Sequence, residues 1–193
     1  SRGDLHIRPD DFRGWSLGAQ LYPLLYMLAR VYHARDWCSG IKISHALLGK
    51  RSRLEVHHIF PKALLYARGY GKAEVNAIAD YCFLTQECNL SVSDREPQAY
   101  LKEVAARYPG ALESQWVPMD RNLWRVERYR DFLAARPELL AQAANQFLNE
   151  LLSGTAPWEE IGPAGVTSSE EERTLLDCID WVSQRGLAEG ELM

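Results

Sequence analysis

Hydrophobic positions in this chain recur mostly at helical spacing. Between residues 17 and 35 apolar side chains return every three or four positions, which predicts an amphipathic helix with Pro23 near its first turn or at a kink. Residues 96–108 show a similar pattern, which Pro109 and Gly110 end. We therefore expect a mainly helical chain.

The second half of the chain predicts further helices, followed by a linker and an acidic segment. Asp120 is a candidate cap for a helix ending near residue 135, and Pro137 suits the first turn of another helix that ends near residue 152. Residues 154–167 are rich in glycine and proline and are predicted to form a linker. Residues 168–193 begin with a Ser-x-x-Glu capping signal and predict an acidic C-terminal helix. The predicted folded domain is residues 1–153.

Two short segments in the first half predict strands. Residues 53–59 are strand-like and stop at Pro61, and residues 81–85 form a second β-rich run. Thr85 can then cap a helix that carries Asn89 in its first turns. The pattern predicts an α+β fold that is mostly helical, with a small strand pair between flanking helices.

The dipeptide His57-His58, at the end of the first predicted strand, is the main candidate for chemistry. Imidazole is the commonest metal ligand and a natural general base near neutral pH. Because neighbouring side chains of a strand point to opposite faces, one histidine can face a packed metal-bearing helix and the other a substrate groove. Taken alone, the dipeptide is equally compatible with two histidines that have no function.

Together these segments resemble a known family, the HNH endonucleases with the ββα-metal fold. The shared pattern is a histidine pair followed by Ile-x-Pro, a loop, a second strand and a helix carrying Asn89. Within that family the chain is similar to the C-terminal nuclease domain of GmrSD-type restriction and phage-defence proteins, a group that includes phosphorothioate-linked DNA-nicking effectors. The motifs span residues 53–101, and weaker similarity extends into the flanking helices.

The resemblance implies a role for each polar residue of the motif. His57 would bind a divalent cation, Asn89 would complete the metal site and take part in catalysis, and His58 would be the general base. Asp80 stands where this branch usually has asparagine, a residue that holds the loop between the strands. It would accept hydrogen bonds of that loop or add a carboxylate near the cation, and Asn76 is an alternative source of the amide.

The implied function is metal-dependent nicking or cutting of DNA, as the effector of a bacterial restriction or anti-phage system. Mg²⁺ or Mn²⁺ is the expected cation, with Zn²⁺ or Ni²⁺ as alternatives, because imidazole and amide ligands select weakly among metals. Partner domains would supply recognition, and because the chain starts at Ser1, an N-terminal sensor or NTPase domain or subunit is expected ahead of it. Two alternatives stay open: a non-catalytic nucleic-acid-binding module, which Asp80 favours, and a ribonuclease of the same architecture.

Charge is distributed unevenly along the chain. The formal net charge is −4, but residues 42–72 contain seven basic residues and a single acid, Glu55, so that segment carries +6 and the remainder −10. Basic residues beside the histidines favour phosphate binding, although a solvated surface would show the same pattern. The predicted DNA-binding residues are Lys50, Arg51, Arg53, Lys62, Arg68 and Lys72.

Composition and cysteine usage set the remaining expectations. Hydrophobic residues make up 47% of the chain, which favours a folded protein over disorder. None of the four cysteines forms a Cys-x-x-Cys pair, so a four-cysteine zinc site is not supported. We expect reduced thiols in a cytoplasmic chain, with Cys88 as a further candidate ligand. The apolar run over residues 17–29 is too short to span a bilayer, so no membrane partner is expected.

Overall fold

The computed structural model describes residues 6–43 and 54–155. The described chain is α+β and mostly helical, with a two-stranded antiparallel sheet, as predicted. Most of the predicted linker, the acidic C-terminal helix and three predicted DNA-binding residues (Lys50, Arg51 and Arg53) lie outside the described residues. The helices are α1 Tyr22–Val31, α2 Lys62–Ala67, α3 Lys72–Val75, α4 Gln86–Val92, α5 Pro97–Arg107 and α6 Tyr129–Ser153, and the strands are β1 Leu54–His58 and β2 Tyr81–Thr85.

The two strands lie antiparallel and α4 follows the second strand directly. Leu54 pairs with Thr85 at one end of the ladder and His58 with Tyr81 at the other. Thr85 is the N-cap of α4, because its hydroxyl oxygen accepts the Cys88 N–H at 3.3 Å. The predicted second strand and its capping residue are both confirmed.

Strand β2 lies between two hydrophobic cores. On one face, Tyr81 and Phe83 pack into a core built from α1, the second half of α6 and the turn around Phe12. On the other face, Cys82 and Leu84 join a core that contains residues of α4 and α5 and the first turn of α6. Because the strand is buried on both sides, its position relative to the helices is fixed.

Most predicted helices are present, but three of their boundaries differ. Helix α1 spans Tyr22–Val31, shorter than the predicted 17–35, and has Pro23 in its first turn as expected, whereas α5 matches the prediction closely. The predicted break at Pro137 is wrong, because this proline lies inside the continuous helix α6. Its apolar face runs through Pro137 to Leu140 and Ala144, and this burial offsets the lost backbone hydrogen bond. Asp120 caps a short 3₁₀ turn at Arg121–Trp124 instead of a long helix.

A buried arginine of α6 holds the segment that leads into β2. Arg136 is 1% exposed, and its guanidinium donates to the carbonyl oxygens of Ala79 at 2.7 Å, Gln115 at 2.9 Å and Trp116 at 3.2 Å. Burial lowers the pKa of Arg136 to about 10. The bond to Ala79 fixes the backbone next to Asp80, and the other two tie it to the segment at Gln115 and Trp116.

The cysteines correct one prediction. Cys38 and Cys88 form a disulfide, so the expectation of reduced thiols is wrong for this pair, whereas Cys82 is a buried free cysteine. The two bonded residues are 50 positions apart and come together only because the loop at residues 36–40 packs against α4. No local pattern in the sequence marks them as partners.

Candidate functional site

The site is centred on a contact between β1 and α4. His57 pairs with Cys82 across the two strands and lies on the same face of the sheet, and Asn89 is one turn into α4. The Nδ1 atom of His57 lies 2.8 Å from the Oδ1 atom of Asn89. Cis ligands of an octahedral cation with bonds of about 2.1 Å lie roughly 3 Å apart. The two predicted ligand atoms are therefore spaced as neighbouring ligands of one cation. Such a cation could take the place of the hydrogen-bonding proton between them.

Glu55 extends this pair, and sequence reasoning missed it. It precedes His57 by two positions and so lies on the same face of β1. Its Oε2 atom accepts the Asn89 Nδ2–H at 2.8 Å. The available signal was the i, i+2 spacing, together with the fact that Glu55 is the single acid between residues 42 and 72. The imidazole nitrogen of His57 and the amide oxygen of Asn89 are ligand types that fit a divalent cation, and Glu55 holds the other end of that amide.

The surroundings of His57 keep its ring neutral. The residue is 3% exposed and packs edge-on against Trp37, with ring centres 5.9 Å apart, and against Tyr100 at 6.3 Å. Burial lowers the pKa of His57 to about 4, although the hydrogen bond with Asn89 acts in the opposite direction. A neutral imidazole is the form that binds metals. Its Nε2 atom is buried and has no hydrogen-bond partner among the described residues.

His58 lies on the opposite face of β1, as strand alternation predicts. It is half-buried and packs against the Tyr81 ring at 4.8 Å between centres. Burial, with the nearby charges of Lys62 and His57, lowers the pKa of His58 to about 3. An open substrate groove was expected beside this histidine, but its Nε2 atom is not accessible to solvent. Within the described ranges this atom also has no hydrogen-bond partner.

Asp80 joins the ends of the two strands. Its Oδ1 atom accepts the Phe60 N–H at 3.0 Å, and its carbonyl oxygen accepts the Ile59 N–H at 2.9 Å. The side chain is fully buried, and burial raises the pKa of this carboxyl, outweighing the Phe60 hydrogen bond and the charges of Arg136 and Lys62. Asp80 could either hold the loop between the strands or add a carboxylate near the cation. These hydrogen bonds are those of a residue that holds the loop. Its Oδ2 atom is buried and finds no partner within the described chain.

The predicted metal ligand Asp80 does not form a close cluster with the two histidines. In the part of the chain that the structure describes, the His, Cys, Asp and Glu side chains with metal-binding spacing are Asp36, Cys38 and Cys88, whose ligand atoms lie within 4.8 Å of one another. The disulfide occupies both sulfur atoms. Asn76, the alternative amide, donates to the Lys72 carbonyl at 2.8 Å.

The Asp36 carboxylate is itself fully used by hydrogen bonds. Its Oδ1 atom accepts the N–H and the hydroxyl of Thr85, both at 2.9 Å, and its Oδ2 atom accepts the Cys38 N–H at 3.2 Å and two bonds from Ser39. Asp36 therefore fixes the start of α4 against the loop before it. This role could not be found from the sequence, since Asp36 and Thr85 are 49 positions apart.

The described basic residues differ in whether an acidic side chain neutralises their charge. Lys62 and Lys72 are exposed, and Lys62 is close enough to His58 to affect its pKa. Arg68 is also exposed but forms an ion pair with Glu127. Lys62 is therefore the best placed of these three for a phosphate beside the histidines.

The chain matches no family model, no curated protein and no solved structure in the comparisons with known proteins. Among the described helices, none is both long and apolar enough to cross a membrane. Any functional assignment therefore depends on the geometry of the site and on the sequence motifs.

Proposed function

We propose that the chain is a metal-dependent phosphodiester endonuclease of the HNH type, with DNA as its substrate. The observation that carries the proposal is the 2.8 Å contact between His57 and Asn89. These are the two positions that the family resemblance assigns to the cation. The pairing of β1 with β2, which are joined through α2 and α3, and the position of α4 directly after β2 support a ββα-metal unit between flanking helices.

Hydrolysis of a phosphodiester needs a nucleophilic water, stabilisation of charge on the phosphate and help for the leaving oxygen. A bound Mg²⁺ or Mn²⁺ would supply charge stabilisation at the phosphate and at the leaving oxygen. His57 and Asn89 would hold it and leave its other positions open for phosphate oxygens and water. Lys62, exposed near His58, adds a positive charge for the phosphate.

His58 is the proposed general base. Its lowered pKa of about 3 keeps the ring neutral and able to accept a proton at pH 7, although so weak a base transfers protons less efficiently than one matched to the working pH. Since Nε2 is out of solvent, use of that atom requires the ring to turn or Tyr81 to move when substrate binds.

The covered Nε2 atom of His58 favours a second candidate function, a non-catalytic nucleic-acid-binding module of the same architecture. In either case we propose a cytoplasmic component of a bacterial restriction or anti-phage system. Recognition would then depend on a further N-terminal sensor or NTPase domain or subunit. The basic residues near the histidines support a nucleic-acid partner.

A plasmid-nicking assay with Mg²⁺ or Mn²⁺ tests the proposal, with EDTA as the metal-free control. The wild-type chain is compared with His58→Ala and with His6→Ala, a matched control at an exposed histidine. We expect cleavage by the wild type and by the control, and a loss of at least about 100-fold in His58→Ala with DNA binding retained. Matched RNA duplexes in the same assay test the ribonuclease alternative.

Three results would change the assignment. Equal cleavage by wild type and His58→Ala would reject His58 as the base. Binding without metal-dependent cleavage by the wild type would support the non-catalytic module. Preferential cleavage of RNA would replace DNA as the substrate.

A further inference from the structure

Glu55 and His57 hold opposite ends of the Asn89 amide. The amide nitrogen of Asn89 donates to Glu55 Oε2 at 2.8 Å, and its oxygen lies 2.8 Å from Nδ1 of His57. Glu55 and His57 lie on one face of β1. The amide is therefore fixed at both ends by the same strand.

An asparagine side chain can be turned by half a rotation with little change in shape, so packing alone does not decide which end faces the cation. His57 does not decide it either, since Nδ1 donates in one tautomer and accepts in the other. An ionised carboxylate only accepts hydrogen bonds. Glu55 is therefore the group that requires the Asn89 nitrogen on its own side, and this leaves the amide oxygen towards His57.

The distinction matters because cations such as Mg²⁺ bind amide oxygens, whereas an amide NH₂ group offers them no lone pair. We propose that Glu55 is a positioning residue that selects the Asn89 orientation in which the oxygen faces a divalent cation held by His57. This inference rests on the proposed function, because it takes His57 and Asn89 as the ligands of that cation.

Binding of Mn²⁺ to the full chain, followed by electron paramagnetic resonance, gives a readout that does not require cleavage. The variants are Glu55→Gln, Glu55→Ala and Asn89→Ala, the double variant Glu55→Ala/Asn89→Ala, and Glu138→Gln as an exposed control on α6. Loss of an outer-shell partner typically weakens metal binding roughly 10–100-fold. We expect that loss in Glu55→Ala, near-wild-type binding in Glu55→Gln, whose amide oxygen still accepts the N–H, and no change in the control.

The double variant separates positioning from direct ligation. If Glu55 acts through Asn89, removing Glu55 has no further effect once Asn89 is alanine. A further loss in the double variant, or a Glu55→Gln variant as weak as Glu55→Ala, would overturn the inference, because either result means that the carboxylate itself binds or attracts the cation. Should circular dichroism show Glu55→Ala to be unfolded, Glu55→Met removes the acceptor with less loss of packing and gives the same test.

Mn²⁺ binding distinguishes a failure of the positioning role of Glu55 from a failure of the proposed function. If the wild type binds Mn²⁺, if His57→Ala and Asn89→Ala each weaken that binding measurably, and if Glu55→Ala binds as the wild type does, the positioning role alone is rejected. If the wild type does not bind Mn²⁺, the proposed function is rejected, and the inference about Glu55 is rejected with it.

Discussion

The imidazole of His57 and the side-chain amide of Asn89 contact each other at 2.8 Å across 32 positions of sequence. Strand β1 supplies one group and helix α4 the other. Thr85 starts α4 immediately after β2, so the position of Asn89 over β1 follows from the pairing of the two strands. The contact is a consequence of the strand register and of a helix cap, and both can be altered by mutation.

Lys62 is expected to contribute more to nucleic-acid binding than Arg68. Lys62 is exposed near His58, whereas the charge of Arg68 is partly neutralised by Glu127. Each phosphate contact contributes about 0.9 to the slope of log affinity against log salt concentration. Lys62→Gln should reduce that slope by about one contact, and Arg68→Gln should change it less. Fluorescence anisotropy with a DNA duplex between 50 and 200 mM salt measures both slopes. Equal slopes for the two variants would show that the ion pair with Glu127 does not matter for binding.

Reduction of the Cys38–Cys88 disulfide should destabilise the protein. The bond closes a loop of 50 residues, and the entropy of such a closure is worth roughly 4 kcal/mol. Thermal unfolding with and without dithiothreitol measures the effect as a lower Tm in the reduced sample. Cys38→Ala is the matched control, since its Tm should not respond to the reductant. Detection of both thiols in the native, unreduced protein would contradict the disulfide.

Asp36→Ala should be among the more destabilising single substitutions. Asp36 is 1% exposed, and its carboxylate accepts two hydrogen bonds from Thr85 and three from Cys38 and Ser39 of its own loop. Leaving the Thr85 and Cys38 donors of these partly buried bonds without a partner is expected to lower the free energy of unfolding by more than about 3 kcal/mol. Urea denaturation gives the value, with Asp94→Ala as a control at an exposed aspartate. A loss below about 1 kcal/mol would mean that water replaces these bonds.

Stability of the metal-free protein should fall in mild acid because of His57. Its pKa is lowered from 6.5 to about 4 in the folded state. The unfolded chain therefore binds the proton first, so the stabilising contribution is complete above pH 6.5 and is lost as the pH falls towards 4. For this one group the loss is at most about 3 kcal/mol.

The His57→Gln variant isolates that contribution from the titration of carboxylates. Its Tm, measured in EDTA, should depend less on pH between 6.5 and 4 than that of the wild type, whereas the exposed-site variant His6→Gln should follow the wild type. Parallel curves for His57→Gln and the wild type would show that His57 titrates alike in both states.

Local patterns determined the secondary structure that carries the site. The β-rich run before Thr85 and the capping preference of that threonine are properties of a few neighbouring residues, and both were predicted correctly. Strand alternation likewise placed His57 and His58 on opposite faces, since successive side chains of any strand must diverge. The motif residues could therefore be named before any coordinates were known.

Tertiary structure decided which groups meet and how accessible they are. The link from Glu55 to Asn89, the bond between Cys38 and Cys88, and the covering of His58 Nε2 all depend on contacts between distant segments. Pro137 shows that packing can also override a local preference. The buried apolar face of α6 keeps the helix continuous through a residue that locally disfavours a helix. Sequence periodicity reports the preference of a single segment. The final conformation of that segment depends on the interaction energies with all the segments packed against it, and those interactions determined the geometry of the site.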